Sequence, residues 1–246
     1  MNIALLGYGK MGHIIEEIAH TRGHKISLVV DSKNAGSFST ESLHDSDVAI
    51  DFSTPGSVLR NIHICLDAKI PLVIGTTGWN EHLDEIKRKN FELEGSIVYG
   101  SNFSVGVNML FAINKKLAGW MNDYTGYKPS VEEIHHTQKL DAPSGTAITL
   151  AEGIIHNLKE LDKWECQEID KKGKLKPAES TLAIFYSREE GVPGYHKVTY
   201  QSDIDEISIS HNAFSRKGFA LGAVMAAEFI CCHKGFFTPQ DIFNFR

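Results

Sequence analysis

The sequence predicts an α/β fold in two parts. A doubly wound parallel sheet comes first, followed by a second, α+β domain with an open, mostly antiparallel sheet. Three observations predict it. A glycine-rich turn, Gly7-Tyr8-Gly9-Lys10-Met11-Gly12, joins an apolar run to a helical pattern. Strand and helix patterns then alternate up to Ser104. Beyond that residue a long apolar helix and several alternating runs replace this rhythm.

Residues 2–6 are a short apolar run that reads as a buried strand. The glycine turn follows at once, and Ile14, Ile15, Ile18 and Ala19 recur at helical spacing before a turn at Gly23. Ile26 to Val30 is a second β-branched run and ends at Asp31. Strand, glycine turn, helix, strand and acid form a βαβ unit of the Rossmann type, which binds a dinucleotide. In that unit Gly7 permits the tight turn, Gly9 lets the backbone approach a pyrophosphate, and Gly12 lets helix and strand pack closely. The candidate cofactor contacts here are Gly7, Tyr8, Gly9, Lys10, Met11, Gly12 and Asp31.

The alternation continues with a strand at Val48 to Phe52, a helix from Pro55 to Ala68, and a strand at Leu72 to Ile74 that reaches Gly75-Thr76-Thr77-Gly78. A charged helix over roughly 80–91 and a strand at Ile97 to Tyr99 complete it, the strand leading into Ser101-Asn102-Phe103. The Gly-Thr-Thr-Gly segment lies at the sheet edge where cofactors sit, although it would also serve as a plain turn.

After Ser104, Val105 to Met121 reads as one helix and Thr146 to Leu161 as another. Lys163 to Pro177 is polar and charged and reads as a loop. Thr181–Tyr186, His196–Gln201 and Glu206–His211 alternate like neighbouring antiparallel strands, and Phe219 to Cys232 is helical.

The composition excludes several classes. A formal charge of −6 argues against a general nucleic-acid binder. No apolar run is long enough to span a membrane, and the N-terminus has neither a basic leader nor a signal-peptide core. Cys65, Cys166, Cys231 and Cys232 form no Cys-x-x-Cys pair, so they read as buried free thiols of a reducing compartment. A cytoplasmic protein is expected.

The chemistry concentrates in Glu133-Ile134-His135-His136-Thr137-Gln138-Lys139-Leu140-Asp141-Ala142-Pro143-Ser144-Gly145-Thr146. Imidazole donates a proton near neutral pH, and an ammonium holds or protonates a basic nitrogen. The amides of Ser144, Gly145 and Thr146, at a helix start, suit an anion. In an extended segment His135 and His136 point to opposite sides, so their roles should differ. One packed and one surface histidine is the bland reading of the pair. Adjacent histidines without a regularly spaced third ligand fit zinc poorly, so no metal is expected. Tyr124 and Lys128 fit a Tyr-x-x-x-Lys pattern, but Gly126 and Pro129 favour a turn and make it a coincidence.

This segment closely resembles the signature of the 4-hydroxy-tetrahydrodipicolinate (formerly dihydrodipicolinate) reductase family of diaminopimelate and lysine biosynthesis. The resemblance extends from Gly7 to about Ala227 and implies NAD(P)H-dependent reduction of 4-hydroxy-tetrahydrodipicolinate to tetrahydrodipicolinate. It assigns His135 as general acid and Lys139 as second proton donor. His136, with Ser144, Gly145 and Thr146, would hold the substrate carboxylates. Gly75, Thr76 and Thr77 would lie beside the nicotinamide, Ser101, Asn102 and Phe103 would contact the cofactor, and Arg216 would lie near the cofactor or the hinge. Arg188, Gly194 and His196 match a family loop in which Val192-Pro193 is a variant. Lys10 stands where the family usually has arginine, in a loop that more often carries one extra residue.

The resemblance further implies a discontinuous dinucleotide-binding domain, 1–104 with 216–246, and a substrate-binding and oligomerisation domain, 105–215, that builds a homotetramer. Asp31 can accept hydrogen bonds from the ribose hydroxyls and would repel the extra phosphate of NADPH, which predicts a modest preference for NADH, with NADPH as the other cofactor. The rival readings are another two-domain reductase acting on an amino-acid semialdehyde, and a non-catalytic nucleotide sensor, which would have no need of His135 and Lys139.

Overall fold

Apolar runs at the start of the chain become strands that bury both faces. In this computed structural model, which describes residues 1–169, 178–243 and 245, the order is β1 (Asn2–Leu6), α1 (Lys10–Thr21), β2 (Lys25–Val30), β3 (Val48–Asp51), α2 (Pro55–Asp67), β4 (Leu72–Ile74), α3 (Leu83–Glu92) and β5 (Ser96–Tyr99). There follow α4 (Val105–Met121), β6 (Lys128–His135), α5 (Gly145–Ile155), β7 (Lys163–Glu168), β8 (Thr181–Arg188), β9 (Gly194–Gln201) and β10 (Glu206–Ala213). The chain closes with α6 (Lys217–Ile230), β11 (Gly235–Phe237) and α7 (Pro239–Phe243). Two units form, Met1–Val105 with Arg216–Arg246, and Gly106–Ser215.

The first unit holds a six-stranded sheet of order β11-β5-β4-β3-β1-β2, parallel throughout. Ile3 and Leu5 face one side with Ile15 of α1 and Ala223, Val224 and Ala227 of α6, while Ala4 and Leu6 face the other with Val58 and Ile62 of α2. This is the period-two alternation of a strand covered on both faces, and it makes the sheet doubly wound. Full burial of each of the Ile, Leu and Val side chains contributes about 1.5–3 kcal/mol. Pro55 at the first turn of α2 and a reciprocal Thr54–Ser57 capping box start that helix at the end of β3. β1 has β2 on one side and β3 on the other, so the strand order reverses there and opens a crevice at the carboxyl ends of the strands.

The second unit holds a five-stranded sheet of order β10-β9-β6-β8-β7. The longest pairings, β9 with β10 and β6 with β9, are antiparallel, and β6–β8 and β7–β8 are parallel. Leu110, Phe111 and Leu117 of α4 and Leu150 and Ile154 of α5 pack on Val131, Leu182, Ile184, Val198 and Tyr200 of the sheet. Asn114 Nδ2 donates to the Leu150 carbonyl at 2.9 Å and ties the two helices together.

Several expectations need correction. β8 is not the neighbour of β9, because β6 lies between them and pairs with both. The start of the expected loop at 163–177 is strand β7, with Trp164 and Cys166 turned to the core between charged neighbours. Only two apolar residues carry its period, too few to stand out from the charge. Residues 170–177 of that loop lie outside the described residues. Helix α5 stops at Ile155, short of Leu161, where Asn157 Nδ2 donates back to the Gly153 carbonyl at 2.8 Å. The expected helix over 80–91 resolves into a 3-10 turn at Asn80–His82 followed by α3. All four cysteines are free, yet only Cys65 is buried; Cys231 and Cys232 are exposed just past the end of α6.

Candidate active site

The glycine turn is built by close approach of β1 to β3. Gly7 has φ +96, and a Cβ there would run into the Phe52 carbonyl. A Cβ on Gly12 would come within 2.6 Å of the Gly7 oxygen. Over Gly9 a Cβ would meet nothing within 4 Å, the open approach that a pyrophosphate needs. Gly7, Tyr8, Gly9 and Asp31 line a groove of about 500 Å³ together with Ser53 and Thr54. Asp31 Oδ1 accepts the amides of Lys33 (2.8 Å) and Asn34 (3.3 Å), which fixes the carboxylate at the end of β2. Arg60 also borders the groove, but its guanidinium is committed to backbone carbonyls, at 2.8 Å for Phe38.

A second acid, Asp51, lies beneath this crevice with no solvent exposure. Its carboxylate accepts from Thr76 Oγ1 (2.6 Å), Ser53 N (2.9 Å), Ser53 Oγ (2.7 Å) and Asn61 Nδ2 (2.8 Å). Burial pushes its carboxyl up, against the pull of those donors. Asp51 thereby ties Thr76 of the Gly-Thr-Thr-Gly turn to the end of β3.

The other candidate cofactor residues are placed less uniformly. Lys10 and Thr77 are exposed, and Met11 packs at the edge of the core. Phe103 is buried in the core, its ring centroid 6.2 Å from that of Phe52, so its side chain serves packing. Asn102 accepts the Ser104 amide at 2.9 Å and shapes the turn after the exposed Ser101. Arg216 is exposed at the N-cap of α6, in the first unit.

In the second unit, Val131, Glu133 and His135 alternate along β6 on one buried face. Register places His196 of β9 opposite Glu133, and Arg188 of β8 opposite His135. The Glu133 carboxylate is fully buried and lies 3.6 Å from His135 Nδ1, 3.7 Å from His196 Nε2 and 3.7 Å from Arg188 Nη1. Its two oxygens accept the Ser144 amide at 3.2 and 3.1 Å. Burial alone would raise the Glu133 carboxyl, but His196, Ser144 and His135 together hold it well below the usual carboxylate range.

His135 is pushed below its ordinary value by burial first and by the charge of His196 next. Glu133 opposes that shift, and Lys139 and Arg188 add to it. The His135 and His196 rings meet edge to face at 5.0 Å. A Cβ on Gly194 would stand 3.3 Å from His135 Nε2, a tight contact that glycine avoids. Glu133, His135 and His196 offer ligand atoms within 4.8 Å of one another, a spacing that a cation could bridge. The Arg188 guanidinium already supplies positive charge there, and the arrangement reads as a buried ion cluster.

Ser144 is the N-cap of α5, its hydroxyl accepting the Ala147 amide at 3.2 Å and meeting His196 Nε2 at 3.2 Å. The Ser144 amide, expected to face an anion, is instead given to Glu133. Gly145, the first helical residue, has open space beside its Cα, and Thr146 follows it. Lys139 Nζ reaches both Asp141 oxygens, at 2.7 and 2.8 Å. Arg188 holds the backbone of this loop through the carbonyls of Lys139 (3.2 Å) and Asp141 (2.7 Å). His136, the residue just past β6, has a buried Nδ1 without a hydrogen-bond partner among the described residues.

Sequence reasoning missed Asp51 and Glu133, and took Arg188 and His196 only as matches within a loop. The available signal was an acid inside a buried strand pattern: Asp51 closes Val48-Ala-Ile, and Glu133 shares its face with Val131.

A glycine-rich turn at a sheet crevice in one unit and a buried Glu–His–Arg cluster beside a helix start in the other are features of an oxidoreductase with a nucleotide-binding domain. The comparisons narrow this class. Residues 1–103 match the family described as dihydrodipicolinate reductase, N-terminus, and residues 106–243 match dihydrodipicolinate reductase, C-terminus. The chain is 47% identical, over 99% of its length and 98% of the relative's, to 4-hydroxy-tetrahydrodipicolinate reductase of Christiangramia forsetii. It is 33% identical over 99% of both chains to the enzyme of the same name from Alkaliphilus oremlandii. A solved structure, dipicolinate-bound dihydrodipicolinate reductase from Paenisporosarcina sp. TG-14, shares the fold with a TM-score of 0.74, 22% identity and 97% coverage of each chain. The chain belongs to the dihydrodipicolinate reductase family.

Proposed function

We infer that this chain reduces 4-hydroxy-tetrahydrodipicolinate to tetrahydrodipicolinate in diaminopimelate and lysine biosynthesis, with His135 and Lys139 as proton donors. The observation that carries the assignment of roles is Glu133, which binds the head of α5 and faces His135, so that one buried carboxylate joins proton donor and anion seat. A reduced nicotinamide, when bound at the glycine turn, would supply the hydride, and the 4-hydroxyl of the substrate leaves as water. Gly7, Tyr8, Gly9, Lys10, Met11, Gly12 and Asp31 are the residues that would hold its dinucleotide. Gly75, Thr76, Thr77, Ser101, Asn102, Phe103 and Arg216 complete that set.

The chain's own part is binding and proton delivery. Gly145 and Thr146 at the start of α5 favour a carboxylate through the helix N-terminus. We assign His136 as a further carboxylate contact, as the family resemblance implies, and Ser144 holds the turn in shape. With its pKa depressed, His135 is neutral in the free chain near pH 7. A dicarboxylate bound beside it adds negative charge and favours the protonated imidazole, so binding loads the proton that the reduced ring then receives. Lys139, an ammonium held by Asp141, is the second donor once a substrate carboxylate competes for it. A cytoplasmic homotetramer is the form in which we expect the enzyme to work. No helix among the described residues is long and apolar enough to cross a membrane.

Loss of reduced-nicotinamide absorbance with freshly prepared 4-hydroxy-tetrahydrodipicolinate tests the reaction. We expect turnover with both cofactors and a few-fold higher kcat/KM with NADH, because Asp31 repels a 2′-phosphate and Arg60 is committed elsewhere. Absence of turnover with either cofactor overturns the activity, and a clear NADPH advantage overturns the reading of Asp31.

A further inference from the structure

We propose that Glu133 is the positioning residue of the proton donor: its buried carboxylate orients the His135 ring and favours proton uptake on it while fixing Ser144 at the head of α5. The proposal rests on the assignment of His135 above and goes beyond it by naming the group through which donor and anion seat are set together.

The geometry is specific. Glu133 has no exposure to solvent and cannot be a surface charge that happens to face a histidine. Its oxygens share the Ser144 amide, and Ser144 in turn caps α5 and touches His196. The nitrogen of His135 that faces the carboxylate is Nδ1, buried and without a hydrogen-bond partner among the described residues. This leaves Nε2, beside Gly194, as the atom with room to serve a substrate. A carboxylate on one imidazole nitrogen sets the tautomer and basicity at the other. The 3.6 Å separation is longer than a hydrogen bond; such contacts commonly tighten when the substrate is in place.

The charges around His135 make the role testable by sign. Glu133 lies on its own strand, Arg188 on β8, His196 on β9 and Lys139 in the loop beyond, with Asp141 paired to Lys139. His211 of β10 faces His196, and Cys166 of β7 feels Glu133 and Arg188. Among the described residues, Glu133 is the group acting on His135 that favours its protonated form; His196, Lys139 and Arg188 oppose it. Removing Glu133 and removing His196 must therefore move the His135 titration in opposite directions.

The test is a histidine proton-NMR titration of the free chain, with pH profiles of kcat, for wild type, Glu133→Gln and His196→Gln. In Glu133→Gln the His135 midpoint should move to lower pH by about one unit or more. Its kcat at pH 7 should fall about tenfold or more and partly recover as the pH is lowered. In His196→Gln the midpoint should rise. A Glu133→Gln chain that stays folded by circular dichroism but keeps the wild-type His135 midpoint overturns the proposal. So does an equal loss of kcat at every pH, which is what a merely structural role gives. If Glu133→Gln does not fold, the His196→Gln midpoint decides: a rise supports the charge cluster, and no change or a fall overturns it. The titration needs no turnover, so failure of the reductase assignment would appear as an inactive wild type and is distinguishable from failure of this proposal.

Discussion

His135→Ala and Lys139→Ala should each lower kcat by about a hundredfold or more, the usual worth of a positioned proton donor. NADH affinity should hardly change, because the glycine turn and Asp31 belong to the other unit. The two losses differ in their local consequences. His135→Ala leaves Glu133 facing an empty site, while Lys139→Ala leaves Asp141 without its partner at 2.7 Å. The double variant should be less than additive if both donors serve one proton-transfer step. Thr146→Val should instead raise KM more than it lowers kcat, since a carboxylate contact at the head of α5 exists before the transition state. Steady-state kinetics of the four variants check this set. Near-normal kcat in both single variants would return His135 and Lys139 to ordinary packing and surface roles.

Gly7→Ala should damage the first unit itself. Alanine at φ +96 is strained, a left-handed conformation costing about 1–2 kcal/mol in side-chain-bearing residues. The added carbon would also overlap the Phe52 carbonyl and come within 2.7 Å of Ser53 Cα. Relief requires the end of β1 to move from the end of β3, where Asp51 anchors Ser53 and Thr76. We expect Tm to fall by roughly 5 °C or more and KM for NADH to rise steeply. Gly9→Ala is the control, since its Cβ meets nothing in the chain. That variant should melt like the wild type and still bind NADH more weakly, because the carbon occupies the path of the pyrophosphate. A Gly7→Ala chain with wild-type Tm, or a Gly9→Ala chain with wild-type KM, would contradict the division between fold and binding at these two glycines.

Much of this was legible before any coordinates. The strand–turn–helix–strand unit from Asn2 to Asp31 is a local pattern, set by apolar periodicity and by backbone torsions that glycine alone adopts comfortably. The parallel sheet and the boundaries of α4 follow from the same kind of signal. The segment from Glu133 to Thr146 was marked as the candidate site by its residue types and by its resemblance to the family signature. Strand β7 was not legible, because its two inward side chains are outnumbered by charge. The place of β6 in the second sheet was not legible either, because strand order is a property of pairing between distant segments.

What the sequence determined by itself is therefore the local grammar: most of the strands and helices, where a glycine-rich loop turns, and which residue types can carry protons. Tertiary structure alone decided which of them work together. The register between β6 and β9 sets Glu133 against His196, and Ser144 reaches the same carboxylate from a helix start that local patterning treats as separate. The amide that seemed available to an anion was claimed by an acid eleven residues earlier in the chain. The physical reason is that a buried charge must find partners at hydrogen-bonding range, and only the folded chain determines which groups are within that range.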